Sequence, residues 1–188
     1  MTIDSQAALF LMLGQTAERT VGKLDDVAPS DSLLVSATFD LAPVLPALVR
    51  KAFEAAEVYK LFYVFENYLR EFVLEVLTKD ATVSWWDRIP SDVQTEITKL
   101  EETEEAKSWM ALGSRDKSAL MTFPQLLRVI EHGWKEHFEV VVRDRALVQE
   151  ARLVGHLRNT ICHMSPVPKE EEDRVKQTMR DWFRVVAP

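Results

Sequence analysis

VYKLFYVFENYLREFVLEVLT, residues 58–78, carries an apolar side chain at alternating four- and three-residue steps: Val58, Phe62, Phe65, Leu69, Phe72 and Val76. At ~100° per residue those six fall along one side of an α-helix. The period is helical rather than the two-residue alternation of a half-buried strand. The pattern predicts one long helix over residues 51–78 with a single buried stripe. Glu66 and Arg70, spaced i to i+4 on its polar side, can pair.

The rest of the chain reads mostly the same way. A first helix is expected over residues 5–24, with Ala7, Phe10, Leu11 and Leu13 on its apolar side. DDVAPSDS, residues 25–32, reads as a loop. LLVSATFD, residues 33–40, is β-prone and reads as a short strand or an extended connector. Asp40 can cap a helix through residues 42–53, although Pro43 and Pro46 keep any helix there short or broken. SWWDRIP, residues 84–90, leads to a helix opened by Pro90 and running over residues 91–109, whose EETEEA segment is a solvated face. Residues 112–123 read as a loop with one helical turn, and residues 123–142 as a single helix with Leu126, Leu127, Ile130, Trp134 and Phe138 inward. A further helix spans 144–163. Pro166 and Pro168 break the chain, and a last helix starts near Pro168. Its first turn holds Glu170, Glu171, Glu172 and Asp173, where the helix dipole favours acids. Val175, Met179, Trp182 and Phe183 form its apolar stripe. The expected fold is an all-α bundle of about four core helices, with residues 1–50 as an N-terminal extension (a helix plus an extended connector) and 51–188 as the helical domain.

Bulk properties set limits. With 188 residues, 47% hydrophobic and 28% charged, the chain can build a core without a metal or disulfide staple. The net charge of -7 argues against a broadly basic surface for long nucleic acid, though not against a small phosphate site. One cysteine, Cys162, forbids an internal disulfide and fits a reducing compartment. No run reaches the roughly 18 apolar residues of a membrane span, and MTIDSQAALFLMLG lacks the basic n-region of a signal peptide. The expected location is the cytoplasm.

The stretch with chemical content is LRNTICHMSP, residues 157–166. On a helical projection Leu153, Val154, Leu157 and Ile161 share one side. Arg152, His156, Asn159 and His163 form a stripe on the other, with Gly155 leaving open backbone beside it. Arg158 lies on a flank, with a side chain long enough to swing towards His163. A fixed forked cation, an imidazole that moves protons near neutral pH and an amide that holds it are what phosphate chemistry uses.

RNTICH, residues 158–163, resembles the R-x-x-x-x-H motif of HEPN domains, including the polar second residue. YVFENYLREFV, SWWDRIPSDV and FPQLLRVIEHGWKEHF upstream resemble the same family's double-tryptophan subgroup, so the likeness covers about residues 55–186. It implies a compact helical bundle acting as a homodimer. It also implies a metal-independent endoribonuclease of the toxin or anti-phage type, with RNA as substrate and an antitoxin or defence protein as further partner. By matched position Arg158 would neutralise the scissile phosphate, His163 would act as general base or acid, and Asn159 would orient His163. Arg152 and His156, on the same helical stripe, are candidate substrate contacts by spacing, with plain surface positions as the alternative. No cofactor or metal is implied. The alternative is a non-catalytic HEPN-like module that binds a nucleotide or a protein.

Other residues have plainer readings. Cys162 is expected to be a small packed side chain, and Trp85 and Trp86 to pack against helices rather than stack on bases. His132 and His137 are five apart, the wrong spacing for a helical metal pair.

Overall fold

A computed structural model of the chain describes residues 3–21, 31–106 and 116–186. The expected loop over 25–30, its counterpart over 112–115, and the expected helical residues 22–24 and 107–109 lie outside them.

The apolar stripe of residues 58–76 becomes part of helix α2, Pro46–Thr78, and all six of its residues are buried. The helix starts five residues before the predicted boundary. Pro46 is the reason: its fixed φ suits a first helical position and its missing N–H is not needed there. The amide of Val49 closes the first turn on the Leu45 carbonyl at 3.0 Å.

Contacts divide the chain into two units, Met1–Ala56 and Glu57–Pro188. In the first, helix α1 spans Ile3–Val21 and exposes Phe10, Leu11 and Leu13. The connector over 33–40 is an antiparallel two-stranded hairpin, β1 Leu34–Ser36 and β2 Phe39–Asp40, with a register shift between Leu34 and Ser36. Asp40 caps the turn after it. Its carboxylate accepts from the Ala42 amide at 2.9 Å, the Ser32 hydroxyl at 2.7 Å and the Leu33 amide at 2.9 Å. Those donors hold its pKa below the ordinary carboxylate value, the Ala42 amide most strongly.

The second unit is all-α. After α2 come a 3₁₀ turn at Trp85–Arg88, helix α3 at Ser91–Ala106 and a second 3₁₀ turn at Lys117–Leu120. Helices α4 (Phe123–His132), α5 (Glu139–Val142), α6 (Arg145–Cys162) and α7 (Lys169–Val186) complete it. Phe65 of α2 lies at the centre of the core, fully buried, with ring centroids 5.3 Å from Phe123, 5.9 Å from Trp182 and 6.1 Å from Phe183. Burying a side chain of this size stabilises by roughly 1.5–3 kcal/mol. Trp85 and Trp86 pack edge to face, 5.7 Å apart, against this core. Among the described residues, no helix is long and apolar enough to cross a membrane.

One helix expected over 123–142 is two, separated by a π-helical turn at Trp134–Phe138. Gly133 sets the break. A Cβ there would stand 3.2 Å from both the His137 and Phe138 rings, so a larger residue would push those rings back by a few tenths of an ångström. The Glu139 amide then bonds the Trp134 carbonyl, five residues back, and Trp134 and Phe138 are both buried.

Candidate active site

Helix α6 starts at Asp144, whose carboxylate accepts from the Ala146 amide at 2.8 Å. It ends on a closed cap. The Met164 amide donates to the Ile161 carbonyl at 2.9 Å, and the Ser165 amide to Thr160 at 3.1 Å. This double closure requires a left-handed residue after the cap, usually glycine, and here Met164 takes it at φ 57°. His163 is the capping residue itself. Its amide donates to the Asn159 carbonyl at 3.0 Å and its side chain is exposed. Among the described residues its ring has no hydrogen-bond or ion-pair partner.

The face of α6 that packs inward differs from the helical projection. Leu147, Val148, Ala151, Val154, Gly155 and Ile161 are buried, whereas Leu153 is 66% exposed. Gly155 is not open backbone: a Cβ would stand 3.3 Å from the Phe123 ring. The helix is wedged between neighbours rather than laid flat on one, so its buried arc is shifted. Its polar residues consequently divide between two grooves.

Arg158 enters the groove towards α2. Its Nε donates to Glu66 Oε2 at 3.2 Å, so it meets a carboxylate rather than swinging to His163. The other oxygen of Glu66 accepts from Arg70 Nη2 at 3.3 Å, which is the pairing the spacing predicts. All three nitrogens of Arg70 are engaged: Nε donates to the Ser118 carbonyl at 2.9 Å, Nη2 to the Met121 carbonyl at 2.9 Å and Nη1 to Asn67 Oδ1 at 2.5 Å. Arg158 is not. Among the described residues, its two terminal nitrogens have no partner. The three side chains are 14%, 15% and 27% exposed for Glu66, Arg70 and Arg158. The cluster thus carries one net positive charge, and it presents the open fork of Arg158 to the groove. A planar fork with free donors suits a phosphate. The groove holds about 210 Å³ and Cys162 stands on its wall, exposed rather than packed as expected. Position 162 lies one helical turn past Arg158, on the same flank, which is why the thiol faces the groove.

Arg152, His156 and Asn159 line the opposite groove, of about 340 Å³, against Phe123, Pro124 and Leu127. Arg152 is ion-paired to Glu131 of α4, and Gln149 Nε2 donates to the same carboxylate at 2.7 Å. Arg128 on this rim pairs with Asp92 at 2.6 Å and with Glu96, whose pKa is held below the ordinary value chiefly by Arg128. So Arg158 and Asn159, neighbours in sequence, face different grooves. His163 stands at the end of the helix beyond both. Among the described residues no three potential metal ligands gather.

Sequence alone missed what Glu66 does. The i to i+4 spacing places Glu66 beside Arg70, but only the packing of α2 on α6 adds Arg158 to that carboxylate. The model of the Swt1-like HEPN family matches residues 60–187. The chain belongs to the Swt1-like HEPN family. That match spans the second helical unit apart from its first three residues and its last, and includes Glu66, Arg70, Arg158 and His163. No curated protein and no solved structure gives a significant match.

Proposed function

We propose that this HEPN domain is a metal-independent endoribonuclease with a site at the end of α6, completed by a second copy of the chain. The observation that carries the reading is the state of Arg158, anchored at Nε by Glu66 with its two terminal nitrogens open. At the C-cap of the same helix, outside the Arg158 groove, His163 offers an exposed imidazole.

The reaction needs no external nucleophile. The ribose 2′-oxygen attacks the adjacent phosphorus as one imidazole takes its proton. The P–O5′ bond breaks as a second imidazole returns a proton to the leaving oxygen. The products are a 2′,3′-cyclic phosphate and a 5′-hydroxyl. Arg158 stabilises the charge that grows on the non-bridging oxygens. One chain supplies one histidine, so acid and base together call for two copies, and an isologous dimer provides them. Asn159, one turn before His163, keeps the role of orienting that imidazole, a role its side chain can fill only by leaving the other groove, which it lines in the single chain. Arg152 and His156 extend substrate contact along the other groove, with Glu131 reducing the effective charge of Arg152. Such an activity suits a toxin or defence effector restrained by a partner protein.

The test is RNA cleavage in EDTA by wild-type protein, Arg158→Ala and His163→Ala, with product ends identified by mass spectrometry. Cyclic ends from wild type alone are expected. Cleavage surviving in both variants defeats the assignment. Tight binding of RNA or nucleotide without cleavage, unchanged by His163→Ala, favours a non-catalytic binding module instead.

A further inference from the structure

The groove that receives Arg158 has a second wall. Tyr59 and Tyr63, one turn apart on α2, line it together with Glu66 and Arg158. Their rings stand 6.2 Å apart and tilted by 37°, and they are 54% and 60% exposed. The neighbouring Phe62 and Phe65 on the same helix are buried and pack in T-shaped contacts with Phe123. The ring contact of Tyr59 and Tyr63 is with each other. Two solvated aromatic faces therefore flank a guanidinium whose open donors suit a phosphate.

We infer that Tyr59 and Tyr63 form a stacking subsite for an unpaired nucleobase whose phosphate lies on Arg158. This rests on the nuclease reading for the identity of the substrate. The chemistry stands on the groove itself. A base has a π-face and no charge, so a tyrosine accepts any of the four. A base in a duplex has both faces covered by its neighbours, so the subsite selects single-stranded segments, loops and bulges. It also accounts for how an acidic protein of net charge -7 can hold RNA: one phosphate by a fork and one base by stacking, with little reliance on a broad basic surface.

The experiment uses a fluorescein-labelled 2′-O-methyl oligonucleotide, which lacks the attacking hydroxyl and cannot be cut. Its Kd for the full chain is measured single-stranded and annealed to its complement, in wild type, Tyr59→Ala, Tyr63→Ala and the two Tyr→Phe variants. Sedimentation velocity runs on the same samples. Expected are a Kd raised about tenfold by each alanine, a Kd within about twofold of wild type for each phenylalanine, and much weaker binding of the duplex throughout. No binding by wild type, or an alanine Kd equal to wild type, overturns the inference. So does an alanine loss that tracks a shift from dimer to monomer, since the pair then belongs to a contact between copies. A wild type that stacks this oligonucleotide yet never cuts RNA leaves the subsite standing and removes the nuclease reading.

Discussion

Glu66 sits between two guanidiniums and gives one oxygen to each. Neutralising it removes the charged partner of Arg158 without changing its own shape. On the proposed nuclease reading, Glu66→Gln is expected to lower RNA cleavage roughly ten- to hundredfold, since a displaced phosphate ligand costs orientation at the reacting centre. A phosphate-binding fork that has lost its anchor shows the loss in kcat as well as KM, and steady-state kinetics on a short RNA reads both. The same change leaves mostly buried Arg70 without its carboxylate. Unfolding in urea should show a loss of about 1–3 kcal/mol. A loss of stability with unaltered kinetics would mean that Glu66 serves only the α2 packing.

At the scale of elements, two junctions carry predictions. The cap of α6 puts Met164 at φ 57°, where a side chain meets the carbonyl of its own peptide. Met164 is 91% exposed, so its side chain contributes little packing in return. Met164→Gly should stabilise the protein by about 1 kcal/mol, read as a raised urea midpoint at constant m-value. The junction after α2 is held by Asp80. Its carboxylate accepts from the Thr82 hydroxyl at 2.6 Å, the Thr82 amide at 3.0 Å and Arg88 Nη2 at 2.8 Å. These donors bring its pKa to about 2, the Thr82 hydroxyl contributing most. A depressed carboxylate stabilises the fold above its unfolded value of 3.8 and loses that contribution as pH falls towards 2. An NMR titration of the Asp80 carboxyl should find its midpoint near the lower figure. Asp80→Asn should flatten the acid limb of stability between those two values.

Over the whole molecule, the aromatic cluster around Phe65 joins α2, α4 and α7. Phe65→Ala would empty the centre of that cluster at a cost of roughly 3–5 kcal/mol. That is a large share of the 5–15 kcal/mol that a domain of ordinary stability has. Thermal unfolding by calorimetry should show a fall in Tm of at least about 6 °C, scaling as for a chain of this size. A fall of one or two degrees would mean that the rings can close the gap.

The long helices α2 and α7 were legible because each is long enough to repeat its apolar period. Six matched positions specify α2, and Val175, Met179, Trp182 and Phe183 specify α7. The ends of α6 were legible too, from Asp144 at one end and Pro166 and Pro168 after the other. Periodicity is a property of one helix in isolation, and it names a stripe before any partner exists. What it cannot name is the partner. The break at Gly133, the exposure of Leu153 and Cys162, and the burial of Gly155 all depend on which helix stands opposite. The candidate residues Arg158, Asn159 and His163 were legible as a cluster six residues long. Their separation into two grooves and a helix tip came only from tertiary packing. So did the bond between Glu66 and Arg158, across 92 positions of sequence. Contact order of that kind is invisible to local pattern, because the side chains that meet are chosen by the docking of two surfaces and not by the spacing along either.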